Sequence, residues 1–288
     1  MATYRNIKGY SIQTRTADPV PGLRAWSSGG NVNEGRYGSA AGGTPTAAFI
    51  ASGYASSVTV NHEQYDGTTW TELANLAVGR NHIGGAGIAT AALAFGGWID
   101  PGFSTATESW NGTSWTELAN MATGRYGGGP FGTNTAAIYA SGIQGPAHSL
   151  STAVEEWNGS AWSEVAELNS SRQATGASCT GIVTAGAVIG GSPEVTAVEQ
   201  WNGTGWTETA DLNVGRAAGM ASGSNTVCIY AGGSSTANVA TAETFDGTSW
   251  TTNSAQMTTA RQNSGTGHYA SSSTATFVAS GQIAGSPD

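Results

Sequence analysis

Lysine is almost missing from this chain of 288 residues: Lys8 stands alone beside nine arginines, and charged residues make up only 10% of the whole. An ordinary soluble domain carries roughly 25%. With a net charge of −9 and no basic cluster, the chain offers no footprint for a phosphate backbone, so nucleic acid is not an expected partner. Cysteine is nearly as scarce. Cys179 and Cys228 are too few for a disulfide framework, and each sits among small and apolar neighbours, as a buried free thiol would. No apolar run approaches the ~18 residues of a membrane helix, so no membrane insertion is expected. Residues 1–10 lack the apolar core of a signal peptide, which speaks against a secretory route. The four histidines, His62, His82, His148 and His268, show no metal-ligand spacing, so neither a metal nor a cofactor is expected.

What is abundant is glycine, 43 residues, with 8 prolines and 10 tryptophans. Glycine and proline are costly inside helices, whereas tryptophan supplies the apolar surface that disordered chains lack. An ordered, β-rich protein follows. Its tryptophans repeat: Trp26, Trp70, Trp115, Trp162, Trp206 and Trp250 are each followed ten or eleven residues later by Arg36, Arg80, Arg125, Arg172, Arg216 and Arg261. The period is about 45 residues, within the range of propeller repeats, and six units fill almost the whole chain.

After each arginine comes a glycine-rich run, then a short apolar run closed by Ser52-Gly53, Gly96-Gly97, Ser141-Gly142, Gly190-Gly191, Gly232-Gly233 or Ser280-Gly281. A loop of varying length leads to Glu63, Glu108, Glu155, Glu199 or Glu243. Two residues further stands an aromatic (Tyr65, Trp110, Trp157, Trp201, Phe245), then Asp-Gly or Asn-Gly, then the next repeat tryptophan. Asn-Gly and Asp-Gly tolerate positive φ at both central positions of a tight hairpin, so the aromatic and the tryptophan belong to two antiparallel strands. With the glycine-rich and apolar runs, each unit holds four short strands. Six such units predict an all-β, six-bladed propeller, since solenoid repeats are shorter.

These positions resemble the kelch repeat: a small residue and glycine closing one strand, an aromatic before a turn, a tryptophan after it, and an arginine before the next glycine-rich strand. The resemblance implies one blade per repeat. The sixth unit ends without its hairpin, while residues 1–24 hold an alternating stretch, Tyr10, Ile12 and Thr14 against Ser11, Gln13 and Arg15. The expected organisation is therefore an N-terminal segment, 1–24, that completes the last blade of a propeller formed by 25–288. Such closure removes an exposed sheet edge.

An arginine repeated in six units and a glutamate in five hold blades rather than acting on one substrate; buried charges persist through pairing. The repeat tryptophans are read as core between blades. Trp98 is off this register, in the loop that runs through Asp100 to Phe103. An exposed tryptophan beside a carboxylate could stack on a sugar ring whose hydroxyls the carboxylate binds. Tyr54 and His148 occupy the corresponding loops and complete the expected binding residues. The G-x-G-x-x-G spelling at residues 127–132 opens no helix. The three Asn-Gly-Thr/Ser triplets are hairpin turns, not necessarily glycosylation sites. No nucleophile–base–acid set stands out, so no enzyme is expected. Asp100 with Glu194 is the only off-register acidic pair that could serve a glycan-active enzyme.

The N-terminal leader together with the repeats also resembles kelch-type proteins encoded by marine tailed bacteriophages. This second resemblance implies a virion structural protein, assembled in host cytoplasm: a tail fibre, tail-attached adhesin or capsid-surface protein. Its expected partners are other virion proteins and a host surface glycan, contacted through loops 54–62, 98–107, 143–154, 192–198 and 234–242. The alternative is purely architectural decoration of the capsid or tail, with no receptor.

Overall fold

The computed structural model describes residues 26–173, 176–177, 182–263, 265–266 and 278–283. Every regular element among them is a β-strand. Five antiparallel sheets have four strands each. The first consists of Ala40–Thr44, Ala47–Ala51, His62–Tyr65 and Trp70–Leu73; the second of Gly84–Ile88, Ala91–Phe95, Thr107–Trp110 and Trp115–Glu117. The third is Gly129–Gly132, Ala137–Ala140, Val154–Trp157 and Trp162–Val165, the fourth Gly176–Ala177, Gly186–Ile189, Val198–Trp201 and Trp206–Glu208. The fifth is Met220–Gly223, Cys228–Ala231, Ala242–Phe245 and Trp250–Thr252. A two-stranded pair, Gly265–Thr266 with Val278–Ala279, follows. Each of these five sheets holds its strands in chain order, so each of the five repeats is one meander.

The first strand of every sheet packs beside the first strand of the next, and Gly265–Thr266 lies beside both the fifth sheet and the first. The ring is thus closed around an axis, and the protein is a β-propeller. Glycine fills these innermost strands because neighbouring backbones meet there. A Cβ on Gly42 would come 2.5 Å from the carbonyl oxygen of Gly87 in the second sheet. The second strands are the most buried: Ala48 to Ala51, Ala92 to Phe95 and Ala137 to Ala140 are all fully enclosed. The core lies between sheets. Phe49 and Ala51 pack on Ala92, Ala94 and Trp110 of the next sheet, and Leu93 and Phe95 on Tyr139 and Trp157 of the one after. Each large side chain buried there contributes about 1.5–3 kcal/mol.

Two expectations from sequence need correction. The Asn-Gly and Asp-Gly hairpins are not two-residue turns. Tyr65 pairs with Trp70, which leaves four loop residues, and in this loop only Gly67, at φ 98°, takes positive φ. The Asp66 carboxylate accepts the N–H groups of Thr68 and Thr69, both at 2.8 Å, and Asn111, Asn158, Asn202 and Asp246 do the same in their own turns. The side chain, rather than a second left-handed residue, bends the chain. The repeat tryptophans, moreover, are not uniformly core. Trp70, Trp162 and Trp250 are buried, but Trp26, Trp115 and Trp206 are half-buried. Deeper burial falls to the aromatics before the turn, Trp110, Trp157, Trp201 and Phe245. The ring-closing role of residues 1–24, as well as Cys179 and His268, lies outside the described residues.

Candidate functional site

The repeated charges lie in the joints between sheets. Arg36, Arg80, Arg125, Arg172 and Arg216 are buried and pair with Glu63, Glu108, Glu155, Glu199 and Glu243. Each carboxylate also accepts a backbone N–H from the linker that leads into its sheet: Asn33 and Ala77 at 2.7 Å, Ala122 and Asn169 at 2.7 Å, Asn213 at 2.8 Å. Arg80, Arg125 and Arg172 in addition donate to the carbonyls of Ala106, Ala153 and Ala197. Arginine suits this work because its planar fork carries five donors. Arg261, whose unit has no matching glutamate, donates to the Ser280 carbonyl at 2.8 Å.

The main chain of the same arginines forms a second set of joints. The carbonyls of Arg80, Arg125, Arg172, Arg216, Arg261 and Arg36 accept the N–H of Gly53, Gly97, Gly142, Gly191, Gly233 and Gly281 of the preceding unit, at 2.8–3.0 Å. The residue before each of these glycines sits at positive φ. Where it is serine, the hydroxyl adds a bond across the joint: Ser52, Ser141 and Ser280 donate to the carbonyls of Arg80, Arg172 and Arg36.

One face of the propeller therefore bears six equivalent corners, in which the residue after the arginine bridges the residue after the glycine. The corners are Tyr37 with Tyr54, Asn81 with Trp98, Tyr126 with Ile143, Gln173 with Ser192, Ala217 with Ser234, and Gln262 with Gln282. The first three are rich in rings; the last three are small or amide-bearing. Trp98–Ile99 pairs with Gly102–Phe103 as a miniature hairpin, and Ile143–Gln144 pairs with Ser149–Leu150, so these loops carry short strands of their own.

The rings form a continuous arc. Tyr54 lies 5.4 Å from Tyr37, Tyr37 5.9 Å from His82, and His82 5.8 Å from Tyr126, centroid to centroid. Tyr126 stacks on Phe103 at 5.8 Å and meets Trp98 at 5.6 Å. Trp98 is 5.3 Å from both Phe103 and His148, and Phe103 is 5.0 Å from His148. His148 is exposed and the other rings are half-buried. His82 and His148 hold φ at 49° and 50°, a conformation that costs a non-glycine residue about 1–3 kcal/mol; His82 shares it with the equivalent Gly38, Gly127, Ala218 and Asn263. Burial lowers the pKa of His82 and raises that of Tyr126, so both rings are uncharged at neutral pH.

Four of the five expected binding residues, Trp98, Phe103, Tyr54 and His148, thus join one arc. Asp100 is exposed at the tip of the Trp98 hairpin. Glu194 belongs to a loop of the fourth sheet, with the third sheet between it and Asp100, so the acidic pair is not brought together. His62, at the end of the expected loop 54–62, is instead a buried strand residue. Tyr37, His82 and Tyr126 were missed from sequence. Their signal was available: each stands one or two residues after a repeat arginine, where other units carry Asn, Gln, Gly or Ala. No group of three or more His, Cys, Asp or Glu among the described residues could hold a metal.

The solved structure of YjhT is similar to this propeller, with a TM-score of 0.74, 16% identity, and coverage of 88% of this chain and 93% of that one. No protein-family model matches the chain, and no curated protein sequence matches it. The likeness is one of fold, and it agrees with the all-β propeller class.

Proposed function

We propose that the protein is a non-catalytic, kelch-like propeller of six blades that serves as a structural part of a bacteriophage virion, as tail fibre, tail-attached adhesin or capsid-surface protein. In this reading it presents the arc-bearing face to a partner. One observation carries the presenting role: six corners share the same arginine and glycine joints, yet only three of them bear an arc of rings. A joint needs no such asymmetry, and binding residues concentrate on loops held by a rigid scaffold. The virion setting rests on the resemblance of the leader and repeats to phage-encoded kelch-type proteins. The non-catalytic reading is supported by the repeated arginines and glutamates, which are taken up in joints between sheets.

Purified particles probed by mass spectrometry and by antibody labelling in the electron microscope test the setting; absence of the chain from the particle overturns it. Competition by the purified propeller then tests presentation. Slowed adsorption of particles to host cells is expected, and undiminished adsorption favours architectural decoration without a receptor.

A further inference from the structure

We infer that the arc from Tyr54 to His148 is a carbohydrate site for an uncharged oligosaccharide. The inference deepens the presenting role of this face and rests on it. A pyranose has an apolar C–H face edged by hydroxyls, and its match is a ring face with a polar edge. The arc offers that combination repeatedly: phenols at Tyr37, Tyr54 and Tyr126, an indole at Trp98 and an imidazole at His148. Neighbouring rings stand within 6 Å of one another, so the row is longer than one sugar ring and accommodates several in sequence. The far side of the face carries uncharged residues at its corners, Gln173 with Ser192 and Gln262 with Gln282, the last two bonded to each other through their side chains at 2.8 Å.

Charge selects among sugars. The described residues include no lysine. Five of their six arginines have buried guanidinium groups bonded to glutamate, and the sixth is bonded to the Ser280 carbonyl. Carboxylates, in contrast, stand at the surface: Asp100 beside the arc, and Glu72, Glu117, Glu164 and Glu208 on the outer strands. A sialylated, uronic-acid-bearing or sulfated glycan on the arc would face the Asp100 carboxylate, and among the described residues the one arginine without a glutamate partner, Arg261, lies outside the arc, whereas a neutral hexose polymer meets no such repulsion.

The test is binding of the full chain to immobilised neutral glycans (glucan, galactan and mannan fragments) beside sialylated, uronate and sulfated ones, with affinities measured by calorimetry. Neutral glycans should be retained and anionic ones not. Trp98→Ala should weaken retention about tenfold or more, a loss of about 1.4 kcal/mol. Trp98→Phe should recover part of it, and Thr207→Ala on an outer strand should change nothing. If Trp98→Ala fails to fold by circular dichroism, the exposed His148→Ala replaces it and should weaken binding in the same direction. The proposal is overturned by no neutral binding up to millimolar glycan, by preference for anionic glycans, or by full affinity in the folded Trp98 or His148 variant. These outcomes are independent of the particle experiments: a chain absent from virions could still bind glucan, and a virion part could still bind no sugar.

Discussion

The main-chain carbonyl of Arg36 accepts the N–H of Gly281 at 2.9 Å and the hydroxyl of Ser280, joining the two ends of the described chain. Arg36 N–H in turn donates to the Ser280 hydroxyl at 2.7 Å. Ser280 is held at φ 62°, where Gly96, Gly190 and Gly232 stand in other units at 61–65°. Ser280→Ala removes the hydroxyl and keeps the strain of a left-handed residue; Ser280→Gly removes both. Alanine should therefore cost about 1–2 kcal/mol, and glycine less. Urea unfolding of the two variants checks the order, and equal losses would show that the hydroxyl alone matters.

On the sequence expectation that residues 1–24 complete the last blade, their deletion should lower the melting temperature sharply, because a sheet edge is then left uncovered. Calorimetry of the truncated chain is the measurement. Unchanged melting would assign these residues a role apart from ring closure.

The Arg125–Glu155 pair is fully buried. Glu155→Gln should destabilise by about 3–5 kcal/mol, since it leaves a guanidinium enclosed without a counter-charge. The double variant Arg125→Met with Glu155→Leu should recover much of that loss. Denaturant midpoints separate the outcomes; a single-variant cost below about 1 kcal/mol is incompatible with a closed, water-free pair.

His62 is buried against Trp110, at 4.5 Å, with the indole N–H of Trp115 3.3 Å from its Nδ1. Burial pulls its pKa down from 6.5 to about 4. The folded state thus favours the neutral ring, so its full contribution is present above pH 6.5 and drains away as pH falls toward 4. The loss is roughly 3 kcal/mol over that window. Stability measured at pH 7 and pH 4 should fall less in His62→Leu than in the parent, by about that amount. Parallel curves would place the titrating group elsewhere.

His82 occupies a position filled by Gly38 and Gly127 in neighbouring units, all at φ 49–67°. His82→Gly should relieve strain and stabilise the fold by about 1 kcal/mol, while breaking the arc between Tyr37 and Tyr126. Denaturation and glycan binding measured together should move in opposite directions, as expected where strain is retained for function. A variant both more stable and equally adhesive would make the histidine incidental.

Much of this protein was legible as spacing. The step of about 45 residues between arginines announced the meander, because each recurrence demanded the same local structure. The pairing of arginine with glutamate was legible too, since few charges existed and buried ones need partners. The hairpins were read one residue type too literally: Asx side chains accept N–H groups within their own turn, an effect that dihedral preference alone does not reveal.

The arc was legible only in pieces. Trp98, Tyr54, Phe103 and His148 stood out as irregular residues in loops, whereas Tyr37, His82 and Tyr126 were hidden behind repeat arginines that drew attention to themselves. Sequence by itself determined the repeating unit, its glycine-rich run and the scarcity of positive charge, for these are properties of composition and period. Only the tertiary structure decided that rings from three different units meet. Closing the ring brings corners that are about 45 residues apart in sequence to within 6 Å of one another, and no local pattern encodes a distance across the joint between two sheets.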